Sequence, residues 1–500
     1  MSTAKTIAKG SAWMLISAFI IKFSAFIYYI VLARTVTEEE IGMFFLVLSI
    51  MSIIMIFSNL GLGGGAVARY VPFYAGLNKF SYVRRVLKIS ISAGTFFSII
   101  CIALIILFAD NIAGSFHNPD LVPIFYIMAF YLLLINFEGI ARTFLQGRKL
   151  IKLVSYMRSS QEVLKVILTI ILLFFIGFTA ESIAFGFILS FVFISLIGWY
   201  WVLKEYKSMP ETNEEVNSFG ILKEMVPFGL TLMLISEMLL INTYADRIML
   251  GYFLPPETSS SMIGIYTMAI AFASIMGMSV TAIGTIFGPL ITEFWAKKDI
   301  DAISDTTKTV VRWIFLIVTP ILLGILVFSE EILTIIYGPV YALGGTALIL
   351  YSIGVFIYFL AYPSQWILTA MKRLDVTQKI IAVGVISNIL LNFIFIPKYG
   401  INGAALTSAI SFTLMTILFL RQSKITNVRF PKDIHKPVLA GILAAAILYS
   451  SATLFNFDEI LINSASSLIT QTDIFSEILL KFLKVLRQGR MCGNYYIKSK

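Results

Sequence analysis

"EEEIGMFFLVLSI" (residues 38–50) and "SSSMIGIYTMAIAFA" (residues 259–273) share one plan, in which a polar segment and an Ile-Gly pair precede an aromatic-rich apolar run. The two glycines, Gly42 and Gly264, are 222 residues apart. At nearly the same spacing, "FLQGRKL" (144–150) resembles "LTAMKRL" (368–374), and "ESIAFGF" (181–187) corresponds to "INGAALT" (401–407). Three matches in the same order predict a chain built from two related halves.

The composition places both halves in a membrane. Of the 500 residues, 58% are hydrophobic and 13% charged, whereas soluble domains carry roughly 25% charged residues. About thirteen apolar runs occur, each long enough to cross roughly 30 Å of hydrocarbon as a helix, and only short segments connect them. We therefore predict an all-α integral membrane protein with about 13–14 transmembrane helices.

The repeat also predicts how these helices are grouped. We expect an N-terminal six-helix lobe (1–210), a C-terminal six-helix lobe (221–425), and a helix 13 with an amphipathic, atypical tail (426–500). Because six is even, both lobes start on the same side of the membrane, which gives a parallel repeat.

Charge predicts the orientation. Lys and Arg concentrate in the N-terminus and in alternate loops, whereas the intervening loops contain only Arg34, Arg247 and Lys398. The positive-inside rule then places the N-terminus in the cytoplasm. The same pattern accounts for the net charge of +10 without a nucleic-acid partner. Two cysteines and two histidines indicate neither a disulfide framework nor a metal site.

Four stretches carry a family resemblance: "LARTVTEEEIGMFF" (32–45), "SNLGLGGGAVARYVP" (58–72), "ADRIMLGYFLPPETSSSMIGIYTMA" (245–269) and "LNFIFIPKYGINGAAL" (391–406). Together they resemble the oligosaccharide (O-antigen/polysaccharide) flippases of the multidrug/oligosaccharidyl-lipid/polysaccharide exporter superfamily. The resemblance implies a V-shaped exporter fold with a cavity lined mainly by helices 1, 2, 7 and 8. It also implies a cargo, a polyprenyl pyrophosphate-linked oligosaccharide, which alternating access moves from the cytoplasmic to the outer leaflet of the cell membrane.

Two charges in the middle of apolar runs are candidate substrate-binding residues, because a charge within a span is costly. Lys22 can face the cavity and hold the lipid pyrophosphate, or pair with a carboxylate for structure only. Glu237 can pair with Lys22 across the lobes, carry a coupling proton, or form hydrogen bonds within its own lobe.

Three further candidates, Arg34, Asp246 and Arg247, lie near helix ends. Asp246 and Arg247 can close an outer gate or contact sugar, or they can be solvated interface residues. Arg34 ends the first apolar run, where a helix C-terminus favours a cation. We expect Asn136, Glu138, Asn388 and Asn392 to form hydrogen bonds within their lobes.

Alternative functions differ in the chemistry that they need. A membrane glycan polymerase or glycosyltransferase needs acids, bases or a metal in a substantial outer loop, and the outer loops here are short. A cation-coupled multidrug exporter shares the fold, but we expect its cavity to present acids more than Lys22. We expect no enzyme activity and no cofactor, with H⁺ or Na⁺ coupling left open. The expected partners are the lipid-linked oligosaccharide, membrane lipids and, by contact, polysaccharide-assembly enzymes.

Overall fold

The computed structural model describes residues 3–62, 64–210 and 216–425, and this part of the chain is helical without strands. Two short 3-10 helices, Pro339–Gly344 and Phe359–Ala361, accompany the α-helices. The α-helices are α1 (Thr3–Thr35), α2 (Glu38–Asn59), α3 (Gly65–Gly76), α4 (Phe80–Ser115), α5 (Leu121–Ala129), α6 (Tyr131–Gly147), α7 (Ile151–Phe175), α8 (Ala180–Ser208), α9 (Ser218–Phe253), α10 (Pro256–Ala273), α11 (Met276–Ala296), α12 (Ile300–Ile336), α13 (Gly345–Tyr358), α14 (Tyr362–Ala370) and α15 (Leu374–Ile425).

Nine of the described helical segments are long and apolar enough to cross a membrane. The chain is therefore a multi-pass membrane protein, and the predicted all-α membrane fold is confirmed. The expected span at 437–456 and the tail after it lie outside the described residues. The bounds 1–210, 221–425 and 426–500 stay a prediction.

The long α15 is a hairpin of two helical arms. Its backbone leaves the helical region at Gly400, where φ is 57° and ψ is −131°. Asn388 donates a hydrogen bond to Ser408 Oγ at 3.3 Å, although these residues would be about 30 Å apart in a straight helix. A proline usually ends a helix, but the first arm continues through Pro397, and Gly400 makes the turn.

The glycine-rich stretch after α2 is a break within a longer helical path. Leu60 and Gly61 have φ values of 44° and 71°, and helix resumes at Gly65 as α3. The glycines of this stretch therefore interrupt the helix at the end of α2. In the second half, α10 and α11 are also separated, between Ala273 and Met276, but Ser274 and Ile275 there keep right-handed backbone angles.

The two halves repeat in backbone detail at the end predicted to face the cytoplasm. Asn78 and Lys298 adopt left-handed φ values of 56° and 58°, and Lys149 and Lys372 adopt 66° and 58°. These are helix-capping turns. The paired positions are 220 and 223 residues apart, close to the spacing of the sequence repeat.

Candidate functional site

The seam between the two halves is closest where α2 meets α10. A Cβ atom added to Gly42 would overlap the backbone carbonyl of Ser260, and one added to Gly264 would overlap that of Glu38. Each glycine thus faces the residue that lies one helical turn before the opposite glycine, so the contact is reciprocal. We call Glu38, Gly42, Ser260 and Gly264 the outer contact, because charge predicts that this end faces away from the cytoplasm.

Side chains reinforce this end of the seam. Ser261 donates a hydrogen bond to Glu38 Oε1 at 3.1 Å. Arg34 donates to the carbonyl of Ile336 at 3.1 Å and also to that of Ile335, in the last turn of α12. The final carbonyls of a helix lack partners within it, and its C-terminus attracts cations. Arg34 therefore ties the end of α1 to a helix of the second half.

A second contact joins the halves toward the other end. Gly61 and Gly229 approach so closely that a Cβ atom on either would press on the backbone of the other. Tyr70 donates a hydrogen bond to the carbonyl of Glu224 at 3.1 Å, and the Arg69 guanidinium lies 4.2 Å from the centre of the Phe228 ring. We call these six residues of the two halves the inner contact. Gly42 and Gly61 are separated by about 28 Å along the helical path.

Arg247 of α9 lies at the seam between these contacts. Only 6% of its surface is exposed, its Nε donates to Thr267 Oγ1 at 3.0 Å, and its guanidinium lies 5.4 Å from the Phe45 ring of α2. Phe45 in turn stacks on Tyr29 of α1. Among the residues that the structure describes, no carboxylate forms an ion pair with Arg247. A buried guanidinium without such an ion pair is suited to an anionic group.

Lys22 lies on the same face of α1 as Tyr29. The two are seven residues apart, which is two helical turns, about 10 Å along the axis. The opposite face packs on α7, where Ser17 donates to the carbonyl of Ser155 at 3.0 Å. Lys22 is exposed and lies inward of the Tyr29–Phe45–Arg247 stack along α1.

Asp246 turns away from the seam into the second half. It is fully buried and accepts hydrogen bonds from Tyr266 (2.7 Å), Asn392 (2.8 Å) and Ser408 (2.6 Å). Asn388 and Asn392 are linked to each other at 3.2 Å. The carboxylate thus joins α9, α10 and both arms of α15, and the hydrogen bonds compensate for its burial.

Comparison with known proteins identifies the family. The family described as "Polysaccharide biosynthesis protein" matches residues 7–295, more than half of the chain. The chain belongs to this family. The MatE family also matches residues 231–394. The resemblance seen in the sequence is therefore confirmed.

Individual relatives and a solved structure are also similar to this chain. The capsular polysaccharide biosynthesis protein CapF of Staphylococcus aureus is 23% identical over 81% of this chain and 96% of its own. The probable flippase AglR of Haloferax volcanii is 30% identical over 36% of this chain and 37% of its own. The lipid II flippase MurJ in an inward closed conformation superposes with a TM-score of 0.70 at 18% identity, covering 92% and 99% of the two chains. This likeness shows a shared exporter fold.

The structure separates the site residues expected from sequence. Arg247 lies at the seam, and Arg34 closes its outer end. Asp246 lies within the second half, and Lys22 is exposed on the face of α1 that also carries Tyr29. That Lys22 binds cargo stays a prediction. The interpretation of Asp246 and Arg247 as solvated interface residues is wrong, because both are buried. The Glu237 side chain lies outside the described residues.

The expected hydrogen bonds within each half are confirmed. Asn136 donates to Ser98 Oγ at 2.6 Å, and Glu138 accepts from Arg142 at 2.8 Å. The hydroxyl residues that bind Asp246 and Arg247 were not predicted from the sequence. They could have been recognised as candidates, because Tyr266, Thr267 and Ser408 interrupt apolar runs beside the repeat motifs.

Proposed function

We propose that this protein moves a polyprenyl pyrophosphate-linked oligosaccharide from the cytoplasmic to the outer leaflet of the cell membrane. In this mechanism the outer and inner contacts open in turn, while the seam between them holds the polar part of the cargo. The observation that carries the proposal is the buried guanidinium of Arg247, which forms no ion pair with a described carboxylate and lies between two contacts that close the seam.

Arg247 and Lys22 suit a pyrophosphate in complementary ways. The planar guanidinium can donate two parallel hydrogen bonds to phosphate oxygens, whereas the lysine ammonium acts as a point charge on a flexible stem. Tyr29 and Phe45 offer aromatic faces beside Arg247, where sugar rings can stack. The similarity to AglR, a probable flippase, and to CapF, a capsular polysaccharide biosynthesis protein, supports a glycan cargo.

The coupling ion in this proposal is H⁺ or Na⁺, and Asp246 is its binding residue. A buried carboxylate joined to three helices can exchange a hydrogen-bonded state for an ion-bound one and thereby shift the packing of α9 against α15. Asp246→Asn should abolish the dependence of transport on an imposed ion gradient. A variant that retains the full dependence would exclude Asp246.

A multidrug exporter is the second candidate, which the match of the MatE family to residues 231–394 favours. Purified protein in proteoliposomes distinguishes the two. We expect transfer of a fluorescent polyprenyl pyrophosphate oligosaccharide, and loss of that transfer in Lys22→Ala and Arg247→Ala with normal membrane insertion. Lys297→Ala, at an exposed lysine, is the matched control. Export of lipophilic cations without transfer of the oligosaccharide would overturn the proposal.

A further inference from the structure

A basic cavity lies in the first half, between the start of α7 and the end of α8. Its volume is about 580 Å³, and its charged and aromatic lining consists of Lys149, Lys152, Tyr156, Trp201, Lys204 and Glu205. The predicted orientation places it at the cytoplasmic surface. We call these six residues the lysine cavity. The two helices pack along each other within the first half, so the cavity is distinct from the site that the proposed function uses.

The lysine cavity carries an uncompensated positive charge. Its carboxylate, Glu205, is already engaged by Arg148, whose Nη2 and Nε lie 2.8 and 2.9 Å from Oε1. Lys149, Lys152 and Lys204 form no ion pair with a described carboxylate. Three ammonium groups therefore surround one opening, which favours an anionic occupant.

Aromatic rings hold two of these lysines at the rim. The Lys152 ammonium lies 5.1 Å from the Trp13 ring centre and 5.5 Å from that of Tyr156. The Lys204 ammonium lies 4.8 Å from the Trp201 ring. Tryptophan and tyrosine concentrate at the depth of the lipid headgroups, and cation–π contacts fix the positions of the ammonium groups. The cavity is thus built at headgroup depth.

The rest of the lining is apolar and continues onto exposed helix surface. Leu150, Ile151 and Leu153 line the cavity, and Tyr200 and Leu203 beside it are 62% and 54% exposed. An occupant with a charged head and acyl chains would therefore be matched at both ends. A free phosphate would leave this apolar surface unused.

The corresponding turn of the second half lacks this arrangement. Lys372 matches Lys149 in backbone conformation, but the positions that correspond to Lys152 and Tyr156 at the same spacing hold Asp375 and Lys379. The carboxylate would weaken anion binding there. The lysine cavity is therefore a feature of one half and not a general result of positive charge on this side.

We propose that the lysine cavity binds the phosphate headgroup of an anionic membrane lipid, such as phosphatidylglycerol, in the leaflet next to the inner contact. Basic pockets between transmembrane helices on the cytoplasmic side suit such headgroups. The three lysines bind the phosphate, and the acyl chains lie along the apolar surface of α7 and α8.

Native mass spectrometry of the purified full-length protein tests this proposal. We expect phosphatidylglycerol to remain bound in preference to phosphatidylcholine, and the triple variant Lys149→Gln/Lys152→Gln/Lys204→Gln to lose this preference by at least about tenfold. The control Lys297→Gln/Lys308→Gln/Lys372→Gln changes the net charge equally at the same end of the protein and should retain it.

Single variants keep the test decisive if the triple variant folds poorly. Lys152→Gln and Lys204→Gln should each weaken phosphatidylglycerol binding about fivefold. Unchanged binding in both single variants would overturn the proposal. Displacement of the lipid by millimolar inorganic phosphate as effectively as by excess phosphatidylglycerol would overturn it in favour of a site for free phosphate.

Discussion

The outer and inner contacts close the same seam by different means. At the outer contact, Gly42 and Gly264 bring two helix backbones together, with each glycine against a carbonyl of the opposite helix. At the inner contact, one glycine pair is supplemented by the ring of Phe228 and the hydroxyl of Tyr70. Close backbone approach is common to both contacts, and the difference lies in the side chains. Hydrogen bonds of Ser261 and Arg34 add to the outer contact, whereas an aromatic ring and a tyrosine hydroxyl add to the inner one. The outer contact should be more sensitive to an added methyl group than to a lost hydrogen bond.

A common assay can measure both contacts. A Tyr29→Cys reporter in a Cys101→Ser/Cys492→Ser background places a thiol at the seam beside Phe45. Its labelling by an impermeant maleimide added from one side reports opening at that side. For labelling, each variant below is compared with this reporter protein. Its transport rate is measured with Tyr29 retained, because Tyr29 belongs to the proposed cargo site.

The largest effect is expected for Gly42→Ala or Gly264→Ala. The new methyl group cannot fit against the opposite backbone, and overpacking of this kind costs about 3 kcal/mol or more, about 100-fold in the closing equilibrium. Labelling from the outer side should rise, and transport should fall by a similar factor. Gly114→Ala, where an added Cβ meets open space, should behave as the parent. Normal transport by both glycine variants would refute the steric role of this contact.

A smaller effect is expected for Gly229→Ala at the inner contact. Its Cβ would approach the Gly61 carbonyl oxygen to 2.7 Å, which a modest shift of the helices relieves at a cost of about 1–2 kcal/mol. Labelling from the inner side should rise about tenfold. Gly277→Ala, with no atom within 4 Å of the added Cβ, is the control. Increased labelling from the outer side instead would reverse the assignment of the two ends.

Loss of the Arg34 side chain should weaken the outer end of the seam at a point away from the two glycines. Arg34→Gln removes charge-assisted hydrogen bonds to the end of α12, but solvent around this exposed group reduces their value. Labelling from the outer side should rise about fivefold. Arg373→Gln, at the opposite end, should leave it unchanged, and an equal rise in that variant would point to a nonspecific charge effect.

The smallest effect is expected for Tyr70→Phe. It removes one hydrogen bond, worth about 1 kcal/mol, and keeps the ring beside Phe228. Labelling from the inner side should rise about threefold or less, whereas Tyr252→Phe, at an exposed ring, should change nothing. A larger effect than that of Gly229→Ala would contradict the ranking of steric and hydrogen-bond contributions.

The sequence predicted the helical membrane fold because apolar length and charge are local properties of the chain. It also paired Gly42 with Gly264, and the two glycines meet at one contact, since related halves of a parallel repeat face each other across a two-fold axis. It did not predict that Asp246 and Arg247 point to different partners. Adjacent side chains on a helix diverge by about 100°, and their burial depends on helices distant in sequence. It also missed α3, because glycine and proline within "GLGGGAVARYVP" resemble loop signals.

Reversible cross-linking of each contact tests most directly whether the two contacts open in turn. In the cysteine-free background, Glu38→Cys/Ser261→Cys spans the outer contact and Tyr70→Cys/Glu224→Cys spans the inner one; a cleavable bis-maleimide joins each pair. If the two contacts open in turn, either cross-link stops transfer of the lipid-linked oligosaccharide, and cleavage of the linker restores it. Continued transfer with either contact cross-linked would contradict this alternating opening.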